Sequence, residues 1–318
     1  MTALVIDSPS PLPVEVKLAS RLSPSRASDF KTCPMRFKYK VIDQMPEPPS
    51  IYTARCTLVH AALEALFLLP ASERTLPTAL ALFSAERALA SASGLLDDLF
   101  GDTSAEATWE ADCRRVIENY FGLEDPTSLE PVGREVRLEA MLPGTSVKVV
   151  GILDRIDRRR DGSFVISDYK TGSPPALQYA NKNFFGLVIY AWLFRETWGV
   201  VPSRLRLLYL DGPEVYRLDP DDRKVDAMAS QLAAIWHGIE RANQRDDWRT
   251  RTGPLCPYCS FQNVCPAWGV SGGEQPSPAP RPGHIATTPG AELRPPDSRR
   301  VSGGEQPSPE KREDALVV

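Results

Sequence analysis

The stretch from Gly151 to Lys170 constrains this chain most, because it reads as two strands joined by a turn that leaves one register for their charges. Residues 147–157 and 163–170 are strand-like and flank Arg160-Asp161-Gly162. If that tripeptide is a hairpin loop with Gly162 at its left-handed position, counting outward sets Asp154 opposite Asp168. Residues two apart on a strand share a face, so Asp168 and Lys170 point together and Tyr169 points to the other side. Two facing carboxylates repel unless a cation lies between them, and a hard divalent ion such as Mg²⁺ or Mn²⁺, which prefers oxygen ligands, is the natural occupant. Lys170 on the same face would orient a water or stabilise charge on phosphate oxygens. On the residues alone, Asp154, Asp157, Asp161 and Asp168 fit solvated hairpin charges equally well, since antiparallel sheets commonly carry them.

The surrounding pattern predicts an α/β fold with helices against a central mixed sheet. Residues 57–69 form an apolar helix ended by Pro70, and 75–121 continue as helical patterns. A strand over 132–141 alternates, with Val136, Leu138 and Ala140 on one face and Glu135, Arg137 and Glu139 on the other. A long buried helix over 179–198, a strand over 204–210 and a helix over 220–244 lead to a cysteine-rich end. His60 lies on the first apolar helix with Glu64 one turn later. A lone helical histidine is more often a satisfied core or rim residue than a ligand, although histidine is the commonest metal-binding side chain. Residues 1–20 read as a flexible lead-in. Residues 270–318, with nine of the thirty prolines and a repeated Ser-Gly-Gly-Glu-Gln-Pro-Ser-Pro string, read as a disordered tail.

A net charge of -4 advertises no polyanion partner, so nucleic-acid binding would need a local patch. One candidate runs from Arg21 to Lys40, where Arg21, Arg26, Lys31, Arg36, Lys38 and Lys40 stand against Asp29 with Phe30, Phe37 and Tyr39 interleaved. Neither a secretory leader nor an apolar stretch approaching the roughly 20 residues of a membrane span is visible, so a cytoplasmic protein with no membrane partner is expected. In a reducing compartment, cysteines suit metal ligation better than disulfides. Cys256-Pro-Tyr-Cys259 and Cys265 lie within ten residues, and Cys33 stands alone in a Cys-Pro context within the basic patch. Three close thiolates need a fourth, and the spacing fits a tetrahedral Zn²⁺ site and a cubane iron-sulfur cluster equally.

The order His60-x-x-x-Glu64, Gly151-x-x-Asp154, Asp168-Tyr169-Lys170 resembles the RecB-type branch of the PD-(D/E)XK nuclease superfamily, found in RecB and AddB nuclease domains and related CRISPR-associated exonucleases. The resemblance spans about Leu22 to Trp268. It implies a restriction-endonuclease-like core over 21–269 with a helical N-terminal insertion. It also implies a divalent metal held by His60, Asp154, Asp168 and the Tyr169 carbonyl, with Lys170 catalytic beside Asp154 and Asp168. Cys33, Cys256, Cys259 and Cys265 match the cysteines that hold a [4Fe-4S] cluster in such nucleases, stapling the ends of the domain. Cys56 and Cys113 fall outside that pattern and are expected as ordinary buried thiols.

Two positions depart from the family pattern. On the helix after the lysine strand Tyr190 matches, but Gly186 replaces a glutamine; Cys56 replaces a glycine ahead of the histidine. The resemblance implies a DNA exonuclease acting in repair or recombination, with Tyr190 as a substrate contact; the charge of the basic segment adds Arg26, Arg36 and Lys38 as expected phosphate contacts. An alternative is a DNA-binding scaffold with weak or lost cleavage, and a third is a nuclease acting on RNA. No phosphate-binding P-loop occurs, so the chain is not itself a helicase, although it could serve one or another repair protein.

Overall fold

The computed structural model describes residues 20–176 and 180–268. The expected lead-in, Ser20 excepted, and the expected tail lie outside the described residues. A six-stranded mixed sheet forms the middle layer: β1 (Arg21–Leu22), β2 (Pro131–Met141), β3 (Lys148–Arg158), β4 (Phe164–Lys170), β5 (Arg204–Tyr209) and β6 (Glu214–Leu218). Strand β3 is its spine. β2 runs antiparallel along one edge of it, while the other edge carries β1 in parallel at Lys148 and Val149 and β4 antiparallel from Arg155 to Arg158. β5 lies parallel to β4 after a crossover through α6 (Ala180–Trp198), and β6 returns antiparallel. The expected α/β layout is thus observed. β1 and β6 carried no readable signal, being two and five residues long.

Helix boundaries follow local capping chemistry. The helix expected over 57–69 is α3 (Ile51–Leu66), which starts earlier because the Ser50 side chain accepts the Tyr52 N–H. The helical patterns expected over 75–121 are α4 (Leu76–Ala92) and α5 (Thr103–Leu123). Thr75 and Asp102 cap them by accepting the N–H groups of Thr78 and Ala105, and Gly94, at φ +77, sits in the break. α7 (Asp222–Arg245) opens on an Asp221 cap.

Alternation along the sheet feeds two cores. Leu205 and Leu207 bury on one face, among Trp192 and Phe194 of α6 and Leu232 and Trp236 of α7. Tyr169 and Leu208 bury on the other, among Leu63, Leu66, Phe83 and Tyr120 of α3, α4 and α5. Each large apolar side chain buried this way stabilises by about 2 kcal/mol. At the N-terminal end, α1 (Pro24–Thr32) and α2 (Pro34–Phe37) dock on the segment after α7, where Phe37 stacks on Trp248 with centroids 6.0 Å apart. Among the described residues, no helix is long and apolar enough to cross a membrane.

Candidate active site

The hairpin has the expected register. The Arg159 N–H donates to the Ser163 carbonyl at 2.8 Å and Gly162 has φ +84, leaving 160–162 as the loop. Pairing runs Arg158 with Phe164 to Arg155 with Ser167. One step further stand Asp154 and Asp168, where the regular ladder stops and the Tyr169 N–H donates to Asp154 Oδ2 at 2.8 Å. Lys170 Nζ lies 2.5 Å from Asp168 Oδ2. The Tyr169 ring points into the opposite core, edge-on to Tyr120.

Helix α3 delivers His60 to this opening. Its Nδ1 lies 3.5 Å from Asp154 Oδ2 and its Nε2 3.1 Å from the Tyr169 carbonyl. Glu135, on the face of β2 opposite Val136 as the alternation predicts, completes the group: Oε1 lies 4.0 Å from His60 Nδ1, and ligand atoms of His60, Glu135 and Asp154 fall within 4.8 Å of one another. Glu135 has a left-handed backbone, φ +45, and lies between the Arg134–Arg155 and Val136–Leu153 pairs, where β2 passes Asp154. That conformation strains a non-glycine residue by about 1 kcal/mol or more, and the sequence carried no sign of it.

The donor set fits a divalent cation. Asp168 Oδ2 is buried without a well-aligned hydrogen bond, and three carboxylates face one lysine and one histidine. Burial, reinforced by Asp168, raises the Asp154 carboxyl well above the usual carboxylate range, and burial raises Glu135. Burial opposes charge on His60, but its hydrogen bond with Cys56 and the charges of Asp154 and Asp168 lift it to about 9. Lys170 is raised in the same way: burial opposes its charge and Asp168 outweighs that. The site without a metal therefore holds protons that a cation would displace.

Cys56 is not the ordinary buried thiol expected. It is half-buried one turn before His60, and hydrogen bonds with His60 and Thr171 lower its pKa against the effect of burial. The i, i+4 spacing from His60 was the available signal. Tyr190 reaches the site as expected, its hydroxyl pKa raised by burial and then by Asp168 and Asp154. Its ring also explains Gly151, since a Cβ there would lie 2.7 Å from it. At Gly186 a Cβ would meet nothing closer than Pro24 at 3.8 Å.

Behind the opening, Arg155 is 1% exposed and braces the strands from the other side of the site. It pairs with Glu124, donates to the Tyr169 hydroxyl at 2.7 Å and reaches Asp157 at 3.0 Å, while Arg206 holds Glu124 at 2.8 Å. This buried network was not read from the sequence.

The four expected cysteines, Cys33, Cys256, Cys259 and Cys265, line one cavity of about 190 Å³. The Arg251 N–H donates to Cys33 Sγ at 3.4 Å and the Gly253 N–H to Cys256 Sγ at 3.3 Å. No three of their sulfurs lie within 4.8 Å of one another. Cys113 is buried elsewhere, and burial pushes its thiol up to about 12.

Three of the six basic residues of the N-terminal segment are paired with carboxylates. Arg36 pairs with Asp29 at 3.3 Å, Lys38 with Asp43 at 2.8 Å, and Lys40 with Asp29 and Glu47 at 3.3 and 2.8 Å. Arg26 donates to the Arg21 carbonyl. Asp43 and Glu47 lie just past the stretch in which the charge was counted.

Fold and site together define a mixed-sheet α/β protein with a carboxylate, histidine and lysine cluster where two central strands part. The chain belongs to the PD-(D/E)XK nuclease superfamily, whose family model matches residues 21–266. Two solved structures are similar to it. One, a candidate exonuclease from Eubacterium rectale, is 12% identical with a TM-score of 0.49, covering 78% of this chain and 87% of the other. The second, SSO0001, is 16% identical with a TM-score of 0.40, covering 79% and 88%. No curated protein matches the sequence.

Proposed function

We propose that the chain is a Mg²⁺- or Mn²⁺-dependent deoxyribonuclease of the RecB type, an exonuclease that processes DNA ends in repair or recombination, alone or beside a helicase or another repair protein. The observation that carries the reading is the convergence of His60, Glu135, Asp154, Asp168 and Lys170 at one opening, in a chain of this superfamily. His60, Glu135, Asp154, Asp168 and the Tyr169 carbonyl would hold the cation. When bound, it supplies positive charge that polarises the scissile phosphate and makes a nucleophile available from water near neutral pH. Asp168 keeps the Lys170 ammonium charged and aimed into the opening, where it stabilises negative charge gathering on the phosphate oxygens. Tyr190, seated on Gly151, closes the wall above the two aspartates and would contact the substrate.

The cysteine cavity would hold a [4Fe-4S] cluster. A tetrahedral zinc site with Zn–S bonds of about 2.3 Å brings its sulfurs to about 3.8 Å from one another. The four thiols here line one cavity with no three sulfurs within 4.8 Å of one another, which favours the larger four-iron, four-sulfide core over a single zinc ion, and backbone N–H groups donate to two of the sulfurs. The role is structural.

The test is digestion of end-labelled linear and closed circular DNA, each with Mg²⁺ or Mn²⁺ and with a chelator. Metal-dependent loss of label from linear DNA with circular DNA intact is expected. Cleavage unaffected by chelator would overturn the metal-dependent reading, and binding without cleavage would favour the scaffold.

A further inference from the structure

A second strongly charged feature lies apart from the metal opening and shares no lining residue with it. Between α1 and the C-terminal part of α7 is a groove of about 440 Å³ walled by Arg241, Arg245, Arg249 and Arg251 over a floor of Phe30 and Pro34. The floor is fixed by close packing: a Cβ at Gly238 would come 3.1 Å from the Phe30 ring, so glycine lets α1 approach α7. Arg241 and Arg245 are one turn apart on α7, exposed, and form no ion pair with a described residue. Asp247, the acid lining the groove, is taken by Arg249 at 2.9 Å. Arg251 donates to the Lys31 carbonyl at 2.5 Å.

Favourable charge at a helix C-terminus accounts for Arg245, since cations stabilise that end by a few tenths of a kcal/mol to about 1 kcal/mol. It does not account for Arg249 and Arg251, which come from the segment beyond the helix and enter the same groove. That segment is held by the Met35 N–H donating to the Arg249 carbonyl at 3.3 Å and by the Arg251 N–H on Cys33. Thr250 and Arg251 line the cysteine cavity as well. Four guanidinium groups are thus collected in one place in a chain of net charge -4, with one carboxylate, Asp247, among them, whereas Arg36, Lys38 and Lys40 are each matched by carboxylates.

We propose that this groove binds the phosphodiester backbone of the DNA strand as a contact separate from the metal site. The proposal rests on the nuclease reading for the identity of its ligand. Guanidinium forks suit phosphate oxygens bidentately, and contacts to the phosphodiester backbone carry no base information, so the contact is independent of sequence. Because the Cys33 and Arg251 segments build one wall, the cysteine cavity also sets the geometry of this contact.

Binding of a fluorescent single-stranded 30-nucleotide DNA to the full chain, in chelator so that nothing is cut, tests it across a salt series. Arg241→Glu with Arg245→Glu should weaken binding about tenfold or more. The log–log salt dependence should become shallower by about 1.4, the value for two lost contacts on a single strand. If charge reversal lowers the melting temperature, Arg241→Gln with Arg245→Gln should still flatten the slope. In Mg²⁺ the double variants should raise KM and leave kcat unchanged, because neither residue touches the metal opening. Unchanged affinity and slope would overturn the groove proposal even if the wild type cuts DNA. A wild type that cuts no DNA would overturn the nuclease reading while the binding result still stands. Displacement of the oligonucleotide by sub-millimolar inorganic phosphate at constant ionic strength would overturn strand binding in favour of a small-anion site.

Discussion

The metal opening and the cysteine cavity both gather residues distant in sequence, yet they rely on the fold differently. In the opening, Asp154, Asp168 and Lys170 are set by the register of one hairpin, and the strands carrying them are braced by a buried arginine network. Packing alone places the chemistry. In the cavity, Cys33 is separated by 223 positions from Cys256, and its walls are short turns with little buried apolar surface. There the bound group itself would supply the cohesion. A locally specified site should therefore lose function without losing stability when its chemistry is removed, and a cofactor-stapled site should lose both.

The largest expected effect is at the staple. Cys33→Ser should lose iron and sulfide almost as completely as Cys259→Ser, because a three-thiolate remnant holds a cluster poorly. By the loop-closure reasoning used for cross-links, releasing a loop of this length costs about 5 kcal/mol. Iron and sulfide analysis after anaerobic purification, with denaturant titration, checks this. Full metal content in Cys33→Ser, or stoichiometric zinc without iron, would break the comparison on this side.

Lys170→Ala should behave in the opposite way. Removing a preorganised charge from the reacting phosphate costs about 10²–10³-fold in single-turnover cleavage. The melting temperature should stay within a few degrees of wild type, since the Lys170 side chain is 42% exposed and its removal takes little packing with it. A large fall in melting temperature would mean that this opening, too, is a structural keystone.

The brace sharpens the distinction through pH. The Arg155 and Arg206 charges outweigh burial and hold the Glu124 carboxyl below its ordinary value of 4.5. A depressed carboxylate contributes stability that is fully present above its unfolded value and is lost as pH falls through the folded one. Glu124→Gln, which leaves Arg155 buried and unpaired, should therefore cost roughly 3 kcal/mol at pH 7. The gap between variant and wild type should close below about pH 4.5. Urea titrations at several pH values measure it, and a gap that widened in acid would contradict the assignment.

The smallest effect concerns Gly186 in α6. With room for a Cβ, Gly186→Ala should stabilise by about 1 kcal/mol in a thermal melt. An alanine that destabilised would show that the glycine is there for packing.

The sequence allowed the hairpin register to be read because turn chemistry and period-two alternation act over a few residues, so Asp154, Asp168 and Lys170 were found together. Glu135 was missed because its approach to Asp154 depends on how β2 pairs with β3, a long-range register that the alternation of β2 alone does not announce. The partners of Lys38 and Lys40, Asp43 and Glu47, were missed for the same locality, lying just outside the stretch in which the charge was counted. The arginine groove was invisible because Arg249 and Arg251 meet Arg241 and Arg245 only after the chain turns back.

The most direct test of the nuclease site is Mn²⁺-dependent hydrolysis of 5′-labelled linear DNA by wild type and Asp168→Ala under single-turnover conditions, with DNA binding and thermal stability measured on the same preparations. The arrangement predicts that Asp168→Ala melts no lower than wild type without metal, because one of two repelling carboxylates is gone, binds DNA with similar affinity, and cleaves at least 10³-fold more slowly. Cleavage by Asp168→Ala at the wild-type rate would contradict it.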